Sequence, residues 1–487
     1  MSVKRNILLI IISMALGAFS PKASDFDYSK GIFIINEDWY GHQNSSINFL
    51  DPDNPDSEYW HYRIVREENP GMELGCTNQY AALWNGKLYC IAKQEKDPGA
   101  NILGGRITVC DASTLKILHQ QLLIDPSGAQ CDGRAFVGID NHKGYISSSN
   151  GIWIYDLDNY EIKGMIEGSG NPYAGGDNDK PNTDPTGALY YGQTGIMIFS
   201  DGLVFAAHQQ FGLLIIDAQT DSIIDIISMD MVEKGAGIGS LIQSKDGNLW
   251  ISVAKNTKGL GTALNYLVKL NPKTLEYEIK ELPDGIFGPL NSWYAWTPDA
   301  FAASTVQNCI YWKGGANRWF TGIWIYKYDI DKDECSLFIN LENDPDDWKL
   351  YGCSLGVHPV TDEIYMSLFH HFGKPEYMVR RYSPKGEIIK DYPMIENYWF
   401  PSIMIFRDLD YKDIVSTNKF DEIEISVSGT KIIIKNGEGE YFKIFSLDGK
   451  KVCEFKSEDS IFYHDLNLSP GIYILTGKSI KKKFLIH

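Results

Sequence analysis

This sequence predicts an all-β fold: a seven-bladed β-propeller closed by a C-terminal strand, followed by a small C-terminal β-sandwich. Three observations carry the prediction. One aliphatic-aromatic strand phrase recurs along most of the chain. A second strand recurs upstream of it. The strand missing from the first copy is found near residue 400.

The phrase ends mostly in a polar turn residue. It occurs at Ile47–Asp51, Ile107–Asp111, Ile152–Asp156, Leu213–Asp217, Leu267–Asn271, Ile323–Tyr328 and Met378–Ser383. About seven copies, spaced by roughly 45–60 residues, have the self-similarity of propeller blades. The upstream strand occurs at Leu88–Ala92, Gly144–Ser148, Leu203–Ala207, Leu249–Val253, Cys309–Lys313 and Glu363–Ser367. Most of these follow a turn pair such as Asn85-Gly86, Asp201-Gly202 or Asp246-Gly247. Short strands before the turn (Tyr80–Trp84, Ile196–Phe199) and after the phrase (Ile117–Leu122, Ile223–Ile227) bring each unit to four antiparallel strands. Four such strands make one blade.

The first copy holds Gly31–Asn36 and Ile47–Asp51 but has no strand before them. Phe400–Phe406 is expected to supply it. Closure of this kind removes two exposed sheet edges.

Residues 1–24 read as a signal peptide. Lys4 and Arg5 give its positive start, and Ile7–Leu16 gives an apolar core too short to span a bilayer. The propeller is expected over residues 25–407 and a polar linker over 408–420. The sandwich covers 421–487, with strands Ile423–Val427, Lys431–Lys435, Tyr441–Ser446, Lys451–Phe455, Ser460–Asp465, Gly471–Thr476 and Lys481–Ile486.

The formal net charge of −18 argues against a nucleic-acid partner, which needs a basic surface. It equally disfavours docking on anionic lipid through charge. No later segment is apolar and long enough to be membrane-spanning. The eight cysteines are expected to face an oxidising compartment. Cys90 and Cys110 fall on paired strands at positions expected to oppose each other. Cys76, Cys131 and Cys353 share one place in three repeats. With no CxxC and no zinc-type Cys/His spacing, buried small hydrophobes are the expected role.

A propeller gathers on one face its inter-blade loops and its second-to-third-strand loops. The second-to-third loops carry Trp39, Tyr40, His42, Asn44, His208, Gln209, Gln210, Phe211, Asn317, Arg318, Trp319, His370 and His371. The inter-blade loops carry Asn78, Gln79, Asp132, Arg134, Tyr190, Tyr191, Gln193, Trp293, Trp296, Asp299, Tyr351, Tyr398 and Trp399. Aromatic faces with amides and a few charges suit a large polar ligand with flat apolar surfaces, a corrinoid or a glycan. The bland alternative for any one ring is a wedge between blades.

No cofactor is expected, bound calcium being the one candidate. Asp51-x-Asp53-x-x-Asp56 and Asp329-x-Asp331-x-Asp333-Glu334 have the charge of calcium loops but lie at hairpins, where Asp and Asn are turn residues. Asp177, Asp179 and Asp184 make a looser oxygen-rich insert. His370 and His371, being adjacent, point to opposite sides of a strand. No catalytic signature occurs, so an enzyme is not expected. The minority reading makes Asp132, Arg134 and Asp299 an acid/base set of a glycoside hydrolase or lyase.

Two stretches resemble known families. Gly31–Asp53, Tyr351–Phe369 and Tyr382–Tyr392 resemble the first and last blades of YncE-like, YVTN-type surface propellers of Bacteroidetes-type bacteria, a likeness covering roughly residues 30–407. Some members of that group capture cobalamin for an outer-membrane transporter. This chain differs in lacking a lipobox and in longer inserts at Gly168–Thr186 and Lys255–Asn265. Phe442–Val452, Leu468–Leu475 and Lys481–Ile486 resemble the sorting domain of the type IX secretion system. Together the resemblances imply an exported protein at the cell surface or outer membrane, or released outside the cell. It would capture a corrinoid or glycan for an outer-membrane partner. The competing reading is a non-enzymatic structural or adhesive propeller.

Overall fold

The computed structural model describes residues 27–174, 192–255, 262–289, 300–314, 321–407, 424–428, 431–435, 441–446, 450–457, 461–477 and 481–486. The expected signal peptide and linker, and the Asp177–Asp184 insert, lie outside these residues.

The chain is built of antiparallel sheets. Up to residue 407 seven of them follow one another, six with four strands and the seventh with five, in chain order except in the first. There the order is Pro401–Phe406, Ile32–Asn36, Ser46–Leu50, Trp60–His61. Phe33 faces Ile405, and Ile34 faces Met404. The expected return of the last segment to the first copy is therefore observed as a strand pair. In the seventh sheet Thr321–Gly322 adds a fifth strand beside Lys349–Val357.

The last strand of each of these seven sheets is its least buried. In the fourth sheet Leu203–His208 and Gly212–Asp217 are almost wholly buried, while Ser222–Ile227 is mostly exposed or half-buried. Continuous apolar runs suit strands covered on both faces. Successive sheets pack face to face through separate apolar clusters. Phe33, Phe49, Leu83 and Leu88 join the first sheet to the second. Tyr89, Phe136 and Trp153 join the second to the third. The third, fourth and fifth meet through Tyr145 with Val204, and through Phe205 with Ile251. Trp250 with Trp312, and Tyr311 with Met366, serve the next two interfaces. A last cluster, with Ile32, Ile34, Tyr365, Val379 and Phe406, joins the seventh sheet back to the first. The first strands touch in the same cyclic order, and Lys349–Val357 packs against Pro401–Phe406.

The cysteines are all free thiols, five of them buried. One expectation is corrected by register. Cys90 faces Thr108, and Cys110 faces Leu88, so the two thiols lie diagonally rather than opposite each other.

After residue 423, one sheet holds Glu424–Ser428, Lys431–Lys435 and Ile461–Asp465. A second holds Lys451–Lys456, Tyr441–Ser446, Gly471–Thr476 and Lys481–Ile486. Ile432, Ile434, Phe442, Ile444 and Leu475 form one apolar cluster between them. Among the described residues no helix is long and apolar enough to cross a membrane.

Candidate functional site

Six of the seven first strands break register near their N-terminal ends. Gln79 is the extra residue between Asn78 and Tyr80, Arg134 between Gly133 and Ala135, and Ser402 between Pro401 and Ile403. The fourth and fifth sheets shift between Thr194 and Met197 and between Ile238 and Leu241. The seventh shifts between Leu350 and Leu355. A bulge bends the strand, interrupts the ladder and re-aims a side chain. Here it recurs at one level of neighbouring inner strands, and it carries Gln79, Arg134, Ser240 and Ser402, all buried.

Serines on the second strands take up bonds that the ladder loses. Ser240 N donates to Ser252 Oγ at 2.6 Å, and Ala135 N to Ser147 Oγ at 3.0 Å. Ser354 and Ser367 bond through their hydroxyls at 2.7 Å. Gly133 lets the second and third sheets approach, since a Cβ there would lie 2.6 Å from the Ala92 carbonyl oxygen.

The bulges organise a buried polar belt. Arg134 Nε donates to Gln193 Oε1 at 2.7 Å, and its Nη2 lies 3.5 Å from Asp132 Oδ2. Asp132 also receives Arg106 at 3.3 Å and the Gln130 amide. Burial pulls the Arg134 guanidinium below its ordinary value, and the Asp132 charge opposes that shift. Gln209 N donates to Gln193 O at 2.9 Å, and Gln193 N returns to Gln209 Oε1 at 3.2 Å. His208 Nδ1 accepts from the backbone of Gln210 and Phe211, and burial lowers the ring to about 4. The imidazole is therefore neutral at physiological pH, with its proton on Nε2. Asn78 donates through its backbone to Ser45 Oγ, and its carbonyl accepts from Ser402.

Sequence reasoning missed the two acids that complete this belt. Glu37 and Asp38 follow the strand Ile32–Asn36 and are both buried. Gln79 Nε2 donates to Glu37 Oε1 at 3.0 Å, and Gln43 Nε2 to Asp38 Oδ1 at 2.8 Å. Burial raises each carboxyl to about 7. The available signal was two adjacent acids one residue after the apolar run Ile32–Ile35.

The second strands end at the level of the bulges, so the loops that follow them lie at the same end of the sheets. On the first of these loops Trp39 and Tyr40 are exposed, at 41% and 51%. Trp39 stacks on His42 at 3.7 Å and meets Tyr398 at 4.2 Å. Tyr398 continues to Phe400, Phe400 to Phe372, and Phe372 to Tyr351. Trp399 and Tyr351 lie inside this assembly. Trp399 is fully buried, stacks on Tyr62 at 5.3 Å and donates its indole N–H to Ile395 O. His370 stacks on Trp348 and sits 3.1 Å from Glu376 Oε2, while His371 Nδ1 caps the turn at Gly373. The two histidines thus have separate partners. Tyr190, Tyr191, Trp293, Trp296, Asp299, Asn317, Arg318 and Trp319 lie outside the described residues.

The acidic hairpins are taken up by turns and ion pairs. Asp51 accepts from Asn54, Asp53 pairs with Arg381, Asp329 with Lys332, and Asp333 with Lys280. Among the described residues no three His, Cys, Asp or Glu side chains gather as metal ligands.

The family model for a domain of unknown function, DUF5074, matches residues 30–407. The chain belongs to the DUF5074 family. The match begins before the first paired strand and ends just after Phe406, so the DUF5074 region contains all seven consecutive sheets. No curated protein matches the sequence. Among solved structures, the DUF5074 chain is similar to the extracellular domain of the putative one component system BT4673 from B. thetaiotaomicron. That likeness has 13% identity and a TM-score of 0.43, with 94% of this chain covered. The chain spans 57% of the length of that domain. A mitotic checkpoint complex structure is similar at 11% identity and a TM-score of 0.42, covering 75% of this chain and 86% of the other.

Proposed function

We propose that residues 25–407 form a closed seven-bladed β-propeller that acts as an exported, non-enzymatic binding protein. On this reading it captures a nutrient ligand at one end of its blades, at the cell surface or outer membrane or outside the cell, for an outer-membrane partner. The ligand is large and polar with flat apolar faces, a corrinoid such as cobalamin or a glycan. The C-terminal module serves as a type IX sorting domain.

The observation that carries the reading is the recurrent bulge. A bulge costs ladder hydrogen bonds, and bulges concentrate where a strand must re-aim a side chain. Six inner strands carry one at the same level, with Gln79, Arg134 and Ser402 on them. Polar groups held rigidly beside exposed aromatic rings make a site that orients a ligand through a few hydrogen bonds and gains affinity by burying apolar area. The cyclic order of the inner strands supports closure.

Isothermal titration of the purified chain with cyanocobalamin tests the corrinoid form, and a glycan array tests the other. Absence of binding in both at micromolar protein would overturn the reading.

A further inference from the structure

We propose that the exposed rings of Trp39 and His42, with the half-buried ring of Tyr398, form a stacking shelf for the flat face of an uncharged ring-shaped ligand with N–H or O–H donors on its rim. This rests on the binding reading above and names the part of the site that touches the ligand first.

The shelf is assembled from distant segments. Trp39 and His42 come from the loop after Ile32–Asn36, and Tyr398 from the segment that leads into Pro401–Phe406. Their rings are in contact at 3.7 and 4.2 Å, yet Trp39 stays 41% exposed beside the exposed Tyr40. Tyr398 donates through its hydroxyl to Gly373 O at 3.3 Å, which ties the shelf to the loop bearing the exposed Phe372.

The supporting loop is held firmly. Gly41 N donates to the fully buried Asp97 at 2.8 Å, and the backbone of His42 returns to Trp39 O at 3.1 Å. Gly99 packs against Gly41 so closely that a Cβ there would collide with the Gly41 carbonyl. Glu37 N and Asp38 N donate to Phe400 O and Trp399 O, fixing the loop to the returning strand. A tryptophan that only filled space would be covered. This one keeps 41% of its surface open although backbone bonds hold its loop, as a preorganised anchor requires.

The ligand class follows from the surroundings. Glu37 and Asp38 lie directly beside the shelf in the chain, and Glu376 is on the neighbouring loop, in a protein of net charge −18. Glu376 and the overall acidity disfavour an anionic ring, while the buried Glu37 and Asp38, raised to about 7, are only partly charged near neutral pH. Oxygen acceptors lie close by: Asp38 Oδ1 draws in the Gln43 and Asn397 amides. Donor-bearing rims match them. A corrin, with its ring of amides, and a neutral pyranose, with its hydroxyls, both have this chemistry.

The test uses the full chain, with cyanocobalamin and panels of neutral and acidic oligosaccharides as probes. Titrations compare wild type, Trp39→Ala and Trp39→Tyr. The expected result is that one probe class binds wild type and that Trp39→Ala weakens it about 10-fold or more. Trp39→Tyr should recover most of the loss, with an unchanged melting temperature in both variants. Equal affinity of wild type and Trp39→Ala would overturn the shelf while leaving the binding reading standing. If wild type binds neither class, the reading falls and the shelf falls with it. Tighter binding of acidic than of neutral oligosaccharides would overturn the uncharged class.

Discussion

Gln79 Nε2 donates to Glu37 Oε1 across 3.0 Å, and this bond joins the loop of the first sheet to the bulge of the second. Both side chains are buried, at 4% and 8% exposure. The bond partly offsets the desolvation that raises Glu37, and Asp38 next to it is raised as well.

A pH dependence follows from that pair. In the unfolded chain these carboxyls ionise near 4.5 and 3.8, and in the folded chain each does so at about 7. Below the unfolded values both states are protonated and the contribution to stability is complete. As pH rises toward 7 the unfolded state sheds protons first, so the contribution is progressively lost, and above about 7 it is flat. Urea unfolding at pH 5 and pH 8 should show Glu37→Gln gaining stability relative to wild type on going to pH 8. An equal difference at both pH values would contradict the raised carboxyl.

Arg134 is enclosed with Asp132 and bonded to Gln193. Arg134→Ala removes the bond to Gln193 Oε1 and leaves the buried Asp132 with less counter-charge. The expected cost is about 3–5 kcal/mol, read from denaturant midpoints. A loss below about 1 kcal/mol would mean that Arg106 alone neutralises Asp132.

Trp399 and Trp39 should behave oppositely. Trp399 is fully buried among Tyr62, Met394 and Phe400, so Trp399→Ala is expected to cost about 3–5 kcal/mol. Trp39 is an exposed ring, and its removal should change stability by about 0.5 kcal/mol or less. Thermal melts of the two variants check this directly.

The free thiols can be counted chemically. All eight cysteines should titrate with a thiol reagent in guanidinium without reductant. In the native protein Cys90 and Cys110 should stay unreactive, because burial raises both thiols and closes access to them. A deficit of two thiols in guanidinium would mean that a pair had oxidised.

The strands were legible because a buried strand is written as a continuous apolar run. Ile107–Asp111 was read with its observed bounds, and so was Gly471–Thr476, where the buried Tyr473 and Leu475 alternate with more open neighbours. The return of the last segment to the first copy was legible for another reason: a sheet lacking its inner strand has to find one. The bulges were not legible. Gln79 and Arg134 lie in strands buried on both faces, where no in/out alternation exists for a one-residue shift to break, so only the ladder reveals it. The same limit explains Cys90 and Cys110, where the register set them diagonally. Trp39 and Trp399 read alike in sequence, since both flank strands of the first sheet. Packing alone separates them: one is closed over by Tyr62 and Arg63, and the other is left open.

The returning strand is the element on which the first sheet and the proposed site both depend, because it pairs with Ile32–Asn36, carries Ser402 and follows closely on Tyr398. Native-state hydrogen exchange of the amides in Ile403–Phe406, compared with those in Ile32–Asn36, tests it most directly. Equal, slow exchange that collapses together in denaturant is the expected result, as for one cooperative sheet. Fast exchange at 403–406 beside protected amides at 32–36 would mean that the segment does not hold the first sheet, and the account would fail.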